Sequence, residues 1–323
     1  MNARPPSPPS PMTPAGQSLA SPHGCALSVL VGDCRAVLRS LPSESVQCCV
    51  TSPPYWGLRD YGHADQIGQE ATPELFVQTM VEVFREVRRV LRDDGTAWVN
   101  LGDTYRDKCL QMIPARFAIA MMDDGWILRN EIIWAKKNLT PQSVTDRCTH
   151  AHEQFFLFAK QSSYYFDAGA IKEPAVWDVD GTGTESRKAR ADDHHKAMPT
   201  SEKTGIRPSK KRGEFGGKHA DRPGQEAFRA VVGMRNKRSV WSVATTPYKG
   251  AHFATYPTDL IEPCILAGAP AGGVVLDPFF GSGTTGQVAQ ALGRQFIGIE
   301  LNDEYKALQD ERLRQPSLLL EAA

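Results

Sequence analysis

Short runs of apolar, often β-branched residues alternate with helical spacings from about residue 25 onward. Ala26–Val31, Ala36–Leu41 and Val46–Thr51 read as strand, helix and strand, each at a length that suits a buried element. At Thr72-Pro73 a capping hydroxyl precedes a proline in the first turn, and Phe76, Met80, Val83, Phe84, Val87 and Leu91 then recur at three- and four-residue steps. This predicts an amphipathic helix that ends at Asp94-Gly95. Strand Thr96–Leu101, helix Pro114–Met122 and strands Ile127–Trp134 and Gln154–Ala159 follow. From about Asp167 to Arg238 no sustained apolar period remains; regular structure resumes with helix Thr258–Ala269, strand Val274–Asp277, helix Thr284–Leu292 and strand Phe296–Glu300. Such alternation predicts an α/β fold with a doubly wound, mostly parallel, Rossmann-like sheet.

Composition adds to this picture at three places. Residues 1–24 contain seven prolines and almost nothing that could form a core, which predicts a disordered leader. Seven cysteines (Cys25, Cys34, Cys48, Cys49, Cys109, Cys148 and Cys264) follow no disulfide framework and read as reduced core thiols of an intracellular protein. The chain carries 37 Lys and Arg against 37 Asp and Glu, yet residues 187–238 hold 15 of the former and 6 of the latter, a local net of +9. A basic, loop-rich segment on a mildly acidic body suits a surface that meets phosphates. No uncharged apolar run reaches the roughly 18 to 20 residues that span a bilayer.

Two segments carry candidate chemistry. Val274–Asp277 runs into Pro278-Phe279-Phe280-Gly281-Ser282-Gly283-Thr284-Thr285-Gly286, a buried strand, a glycine-rich turn and a helix start, with Glu300 at the end of the next strand where an acid can bind ribose hydroxyls. The spacing fits a nicotinamide dinucleotide, but only 23 residues follow Glu300, too few for a second mononucleotide half. A single adenosine with a short tail is the better ligand, and the strands completing the sheet must come from the N-terminal half, a permuted order. The second segment is Thr51-Ser52-Pro53-Pro54-Tyr55-Trp56 at the end of a buried strand. Two prolines have no N–H to donate and fix φ, so Ser52 and Pro53 present oxygens in a rigid arc followed by an aromatic ring. An exocyclic amine, with two N–H donors on a flat ring, matches such an acceptor-only clamp.

These two segments resemble the cofactor loop and catalytic loop of S-adenosylmethionine-dependent DNA amino methyltransferases, and their order, catalytic loop first, is that of the β class. Gly32-Asp33 is similar to the family's adenine-contacting acid, and His252-Phe253-Ala254-Thr255-Tyr256-Pro257-Thr258 to the segment holding the methionine end of the cofactor. The resemblance implies Ser52, Pro53, Pro54 and Tyr55 as catalytic residues. It implies Asp33, Phe253, Thr255, Thr258, Asp277, Phe279, Gly281, Ser282, Gly283, Thr284, Thr285 and Glu300 as the S-adenosylmethionine site, with Asp277 near the methionine ammonium and Asp33 on the adenine amine. Ser-Pro-Pro-Tyr usually accompanies cytosine N4 as target and Asp-Pro-Pro-Tyr adenine N6, so cytosine N4 is the expected target, with adenine N6 as the alternative. An amide-nitrogen methyltransferase would carry Asn before Pro-Pro-Tyr and the cofactor loop first.

On this reading 25–165 is the catalytic half, 166–239 a target-recognition insert, 240–312 the cofactor-binding half and 313–323 a tail. A base inside duplex DNA must be rotated out to reach the clamp, with Tyr55 and Trp56 replacing its stacking partners. Arg187, Lys210, Lys211, Arg212, Arg235, Lys237 and Arg238 are the expected DNA contacts. Cys148-x-His150-x-His152 lacks the paired spacing of a zinc site, so no metal is expected. The family includes dimers and enzymes paired with a restriction endonuclease in the bacterial or phage-infected cytoplasm, and the sequence leaves both open. Neutralising Lys210, Lys211 and Arg212 together is expected to weaken DNA binding and flatten the dependence of log Kd on log salt by about 2 to 3; an unchanged slope in filter-binding titrations removes this stretch from the interface.

Overall fold

The computed structural model describes residues 27–60, 62–138, 142–174, 234–245 and 256–314. The expected leader and most of the basic segment lie outside the described residues. An eight-stranded sheet forms from β1 (Leu27–Val31), β2 (Val46–Thr51), β3 (Leu91–Leu101), β6 (Ile127–Lys136), β7 (His152–Ala159), β10 (Val240–Val243), β11 (Val274–Asp277) and β12 (Gln295–Glu300), in the order β1-β12-β11-β2-β3-β7-β6-β10. All neighbours pair in parallel except β7, which runs antiparallel to both β3 and β6. Two short antiparallel pairs accompany it: β4 (Tyr105–Arg106) with β5 (Cys109–Leu110), and β8 (Glu173–Pro174) with β9 (Met234–Arg235).

Helices cover both faces because successive side chains of a strand point to opposite sides. On one face α1 (Cys34–Ser40), α2 (Pro73–Val90) and α3 (Ile113–Asp123) pack onto Cys49, Ala97, Val99, Leu101, Leu276 and Ile299. On the other, α4 (Thr258–Gly268) and α5 (Thr284–Ala291) pack onto Cys48, Val50, Trp98, Val275 and Phe296. Neighbouring residues such as Cys48 and Cys49, or Val275 and Leu276, thus serve different cores, and this is why the central strands read as unbroken apolar runs. Among the described residues no helix is long and apolar enough to cross a membrane.

Four expectations change. The second helix ends at Val90, not at Asp94-Gly95, and β3 begins at once with Leu91. Asp94 and Gly95 lie in the strand where the β2–β3 register shifts, between the pairs Val46↔Leu91 and Cys48↔Thr96, and the Asp94 carboxylate accepts from Gln47 Nε2 at 3.1 Å. A turn signal in sequence has been absorbed as a bulge. Second, β10 precedes the expected restart at Thr258; it has only four residues, with Trp241 alone among them buried. Third, the C-terminal segment is helical as α6 (Lys306–Arg314), past the expected boundary at 312. Fourth, Cys109 and Cys148 are exposed rather than core thiols, because they sit on the small hairpin and the connection before β7.

Phe84 anchors the α2 face: it is fully buried and meets Phe117 and Trp126 edge-on, at centroid distances of 5.4 and 6.4 Å. Phe84→Ala is expected to cost about 3–5 kcal/mol in urea unfolding, and a loss under about 1 kcal/mol would show that this face can collapse around the gap.

Candidate active site

Parallel pairing brings the C-terminal ends of β1, β12, β11, β2 and β3 to one edge, and the segments following four of these strands line a cleft there. Gly32 and Asp33 follow β1, Ser52 and Pro54 follow β2, Pro278, Phe279, Gly281 and Ser282 follow β11, and Glu300 with Asn302 closes β12. Ile67 and Tyr305, which no sequence pattern marks, line it as well, beside His63, Asp65 and Gln66.

Two of the loops are tied together beneath the cleft. Asp277 is 2 % exposed and outside the lining, with Thr51 Oγ1 donating to it at 2.6 Å, Thr285 Oγ1 at 2.5 Å, Tyr256 Oη at 3.1 Å and the Phe279 N–H at 3.1 Å. The expectation that it meets a ligand's ammonium is therefore corrected: its oxygens are committed to structural donors. Burial pushes its carboxyl above the ordinary value, although these hydrogen bonds oppose the rise. Thr285 is buried with it and also lies outside the lining.

Glu300 faces the cleft. The Gly281 N–H donates to its Oε2 at 2.7 Å and the Asn302 N–H to its Oε1 at 2.9 Å. A carboxylate has about four acceptor positions, so two remain for a vicinal diol. Burial raises its pKa against the pull of those backbone donors. Gly281 has φ +52, and a Cβ there would meet nothing nearer than the Phe279 carbonyl at 4.0 Å, leaving room for a ligand to approach the backbone.

The glycine turn is held from behind by α6. Gln309 Nε2 donates to the Gly281 carbonyl at 2.7 Å, Arg312 donates to Ser282 Oγ at 2.7 Å, and the same guanidinium reaches Thr284 Oγ1. Gly283 caps α5 in the left-handed conformation. Asp33 caps α1 and chelates the Arg35 guanidinium at 2.5 to 3.0 Å. Partial burial would raise its carboxyl, but Arg35 holds it below the ordinary value.

Ser52 and Pro54 line the cleft, Pro53 is buried, and Tyr55 turns toward the neighbouring strands. Tyr55 Oη donates to Glu153 Oε2 at 2.7 Å and lies 3.4 Å from Ser52 Oγ. Asn100 Nδ2 donates to Tyr55 Oη at 3.0 Å and to Glu153 Oε2 at 2.8 Å, and Lys136 pairs with Glu153 Oε1. A Cβ on Gly102 would lie 2.4 Å from Tyr55 Cε2, so the absence of a side chain there is what admits the ring.

Trp56 is not available to stack on DNA: it is 4 % exposed, belongs to the α2-side core and donates Nε1–H to the Glu70 carbonyl at 2.8 Å. Thr258 stands exposed at the start of α4, outside the cleft, with its hydroxyl on Asp259. Arg235 and Arg238 both bind Glu173 Oε1, at 2.9 and 2.8 Å, and Lys237 lies over the Trp241 ring. These three cations have structural partners, and although burial opposes it the two guanidiniums hold Glu173 below its ordinary pKa. Phe253, Thr255, Arg187, Lys210, Lys211 and Arg212 lie outside the described residues.

The cleft, the glycine turn and the proline turn meet at the C-terminal edge of the α/β sheet, where ligands of such folds bind. The chain belongs to the N6/N4 DNA methylase family, whose profile matches residues 46–311. It is 41% identical over 312 residues to the type II methyltransferase M.XycI of Xanthomonas campestris pv. cyanopsidis, covering 88% of this chain and 86% of that protein. Its fold is similar to that of PvuII DNA methyltransferase (cytosine-N4-specific), with a TM-score of 0.61, 20% identity and coverage of 89% and 86%. It is similar also to a putative DNA modification methylase of Thermus thermophilus complexed with S-adenosyl-L-methionine, with a TM-score of 0.55, 25% identity and coverage of 89% and 95%. The chain is thus an S-adenosylmethionine-dependent DNA methyltransferase, and the open Gly281 backbone and the spare acceptors of Glu300 fit that ligand.

Asp277→Asn is expected to lower stability by about 2–3 kcal/mol, because an amide cannot accept from all four donors. Because burial raises the folded-state pKa above 3.8, the wild type loses stability as pH rises from there through the shifted value, and the variant lacks that decline. Urea melts across pH 4 to 8 that show a constant gap between the two proteins would contradict this account.

Proposed function

We propose that this methyltransferase modifies the exocyclic N4 amine of cytosine in double-stranded DNA. The observation that carries the reading is the place of Ser52: a neutral hydroxyl, not a carboxylate, heads the proline turn and lines the same cleft as the glycine loop. The amine's lone pair is delocalised into the ring, so nitrogen must be held in a geometry that favours pyramidalisation. Ser52 Oγ and the Pro53 carbonyl accept its two N–H groups and point the lone pair in line with the methyl donor. S-adenosylmethionine supplies an electrophilic methyl group on a sulfonium. Glu300 accepts the ribose hydroxyls, Gly281 and Gly283 let the backbone approach, and Asp33 reaches the adenine amine from beside Arg35. Phe279 and Ser282 complete the contact, while Asp277, Thr284 and Thr285 hold the loop in shape. A ring-carbon mechanism through a thiol has little support, since Cys48 and Cys49 are fully buried and burial pushes the Cys48 thiol up to about 12.

The order of the two loops along the chain supports a permuted, β-class arrangement, with 25–165 and 240–312 as the two halves. The base-reading segment is assigned to 166–239, whose described ends pair as β8 and β9. The type II relative supports a modification enzyme that accompanies a restriction endonuclease in a bacterial cytoplasm. A monomer suffices for one hemimethylated strand.

Nucleoside mass spectrometry of plasmid DNA incubated with the protein and labelled S-adenosylmethionine is expected to place label in N4-methylcytosine. Label in N6-methyladenine would overturn the assignment to cytosine and keep the clamp. Ser52→Ala is expected to lower single-turnover methyl transfer by about 100-fold with cofactor affinity unchanged.

A further inference from the structure

The hydroxyls of the proline turn form a chain with a defined hydrogen-bond direction, and a buried ion pair sets that direction. Tyr55 has one phenolic proton, which it gives to Glu153 Oε2 at 2.7 Å. Asn100 spends its amide donor on the same two oxygens, and its own carbonyl oxygen is a buried acceptor without a partner among the described residues. Lys136 occupies the other Glu153 oxygen. With the phenolic proton committed, the 3.4 Å contact between Ser52 and Tyr55 has one sense: Ser52 donates and Tyr55 accepts. Ser52 Oγ is left to act as an acceptor toward the cleft, as an amine requires. The contact is long, as catalytic hydrogen bonds often are before substrate binds.

The parts arrive from adjacent strands. Asn100 is near the end of β3, Lys136 is the last residue of β6, and Glu153 is the second residue of β7, which runs the opposite way. Gly102, one residue past β3, admits the Tyr55 ring and so fixes where its hydroxyl points. The Glu153 side chain keeps 15% exposure, enough to exchange a proton with solvent.

We propose that Glu153 is a positioning residue that sets the proton polarity of the turn and takes up, through Tyr55 and Ser52, the proton that the target amine loses. The inference rests on the reading of the Ser52 turn as an amine clamp. As the nitrogen lone pair takes the methyl group, the electrons of the S–CH3 bond stay with sulfur and the nitrogen carries one proton too many. That proton passes to Ser52 Oγ while the Ser52 proton passes to Tyr55 Oη and the Tyr55 proton to Glu153 Oε2. Serine and tyrosine end unchanged. Sulfonium, amine and carboxylate have become thioether, methylated amine and carboxylic acid, with the same total charge. Glu153 then returns its proton to water.

Glu153→Gln in the full chain tests this, with Glu153→Gln/Lys136→Gln as a second variant that leaves no unpaired charge if the first fails to fold. The substrate is a duplex carrying the site mapped for the wild type, together with the same duplex bearing 2-pyrimidinone, which lacks the amine, at the target. Cofactor affinity by calorimetry is expected to be unchanged, and single-turnover methyl transfer to fall about 10- to 100-fold. The wild-type preference for binding the amine-bearing duplex is expected to collapse, because a glutamine amide can donate to Tyr55 and reverse the chain. Rates and duplex preference within about two-fold of wild type in a folded variant would overturn the inference. Absence of transfer by the wild type would instead overturn the amine-clamp reading on which it rests.

Discussion

One hydrogen bond ties distant parts of the chain together beneath the site: the Thr51 hydroxyl donates at 2.6 Å to Asp277, 226 positions away. The carboxylate it meets is buried, and an unpaired charge there would cost several kcal/mol. Thr285, Tyr256 and the Phe279 amide are drawn to the same two oxygens. One residue thereby fixes the end of β2, the turn after β11 and the start of α5 relative to one another. The cleft exists because this knot lies underneath it, and Ser52 and Phe279 are placed by their neighbours in the knot.

Much of the sheet was legible because its central strands are buried on both faces, and Val46–Thr51 and Val274–Asp277 have in the structure the bounds that their apolar runs predict. The proline and glycine turns were legible for a different reason, since Pro53, Pro54, Gly281 and Gly283 restrict or free the backbone in ways that few other residues can. What stayed hidden is carried by polar residues at inward positions. Gln309 and Arg312 hold the glycine turn from a helix whose spacing has no apolar face, and Glu153 sits one residue before the strand start that Gln154 suggests. Trp56 misled in the opposite direction: its place after Tyr55 suggests a stacking surface, but the indole is needed in the core.

Charge on this molecule is divided between tasks. Arg235, Arg238 and Glu173 close the base of the segment that departs after β8 and returns at β9, so some of the basic excess read from the sequence is neutralised locally. Arg35 is likewise taken up by Asp33 and Arg312 by the glycine turn. Cations that meet phosphates must then come from residues without such partners, a smaller set than the raw count of Lys and Arg implies.

The reversed direction of β7 has a consequence for how the site could diversify. Parallel neighbours each deliver a last residue to the active edge, whereas β7 delivers one of its first, so the connection from Lys136 to His152 both leaves and re-enters at that edge. Both of its hinges are therefore strands of the sheet, Lys136 closing β6 and His152 opening β7. Insertions or deletions in that connection would leave the register of every strand unchanged, so this edge can be elaborated without disturbing the sheet that carries it.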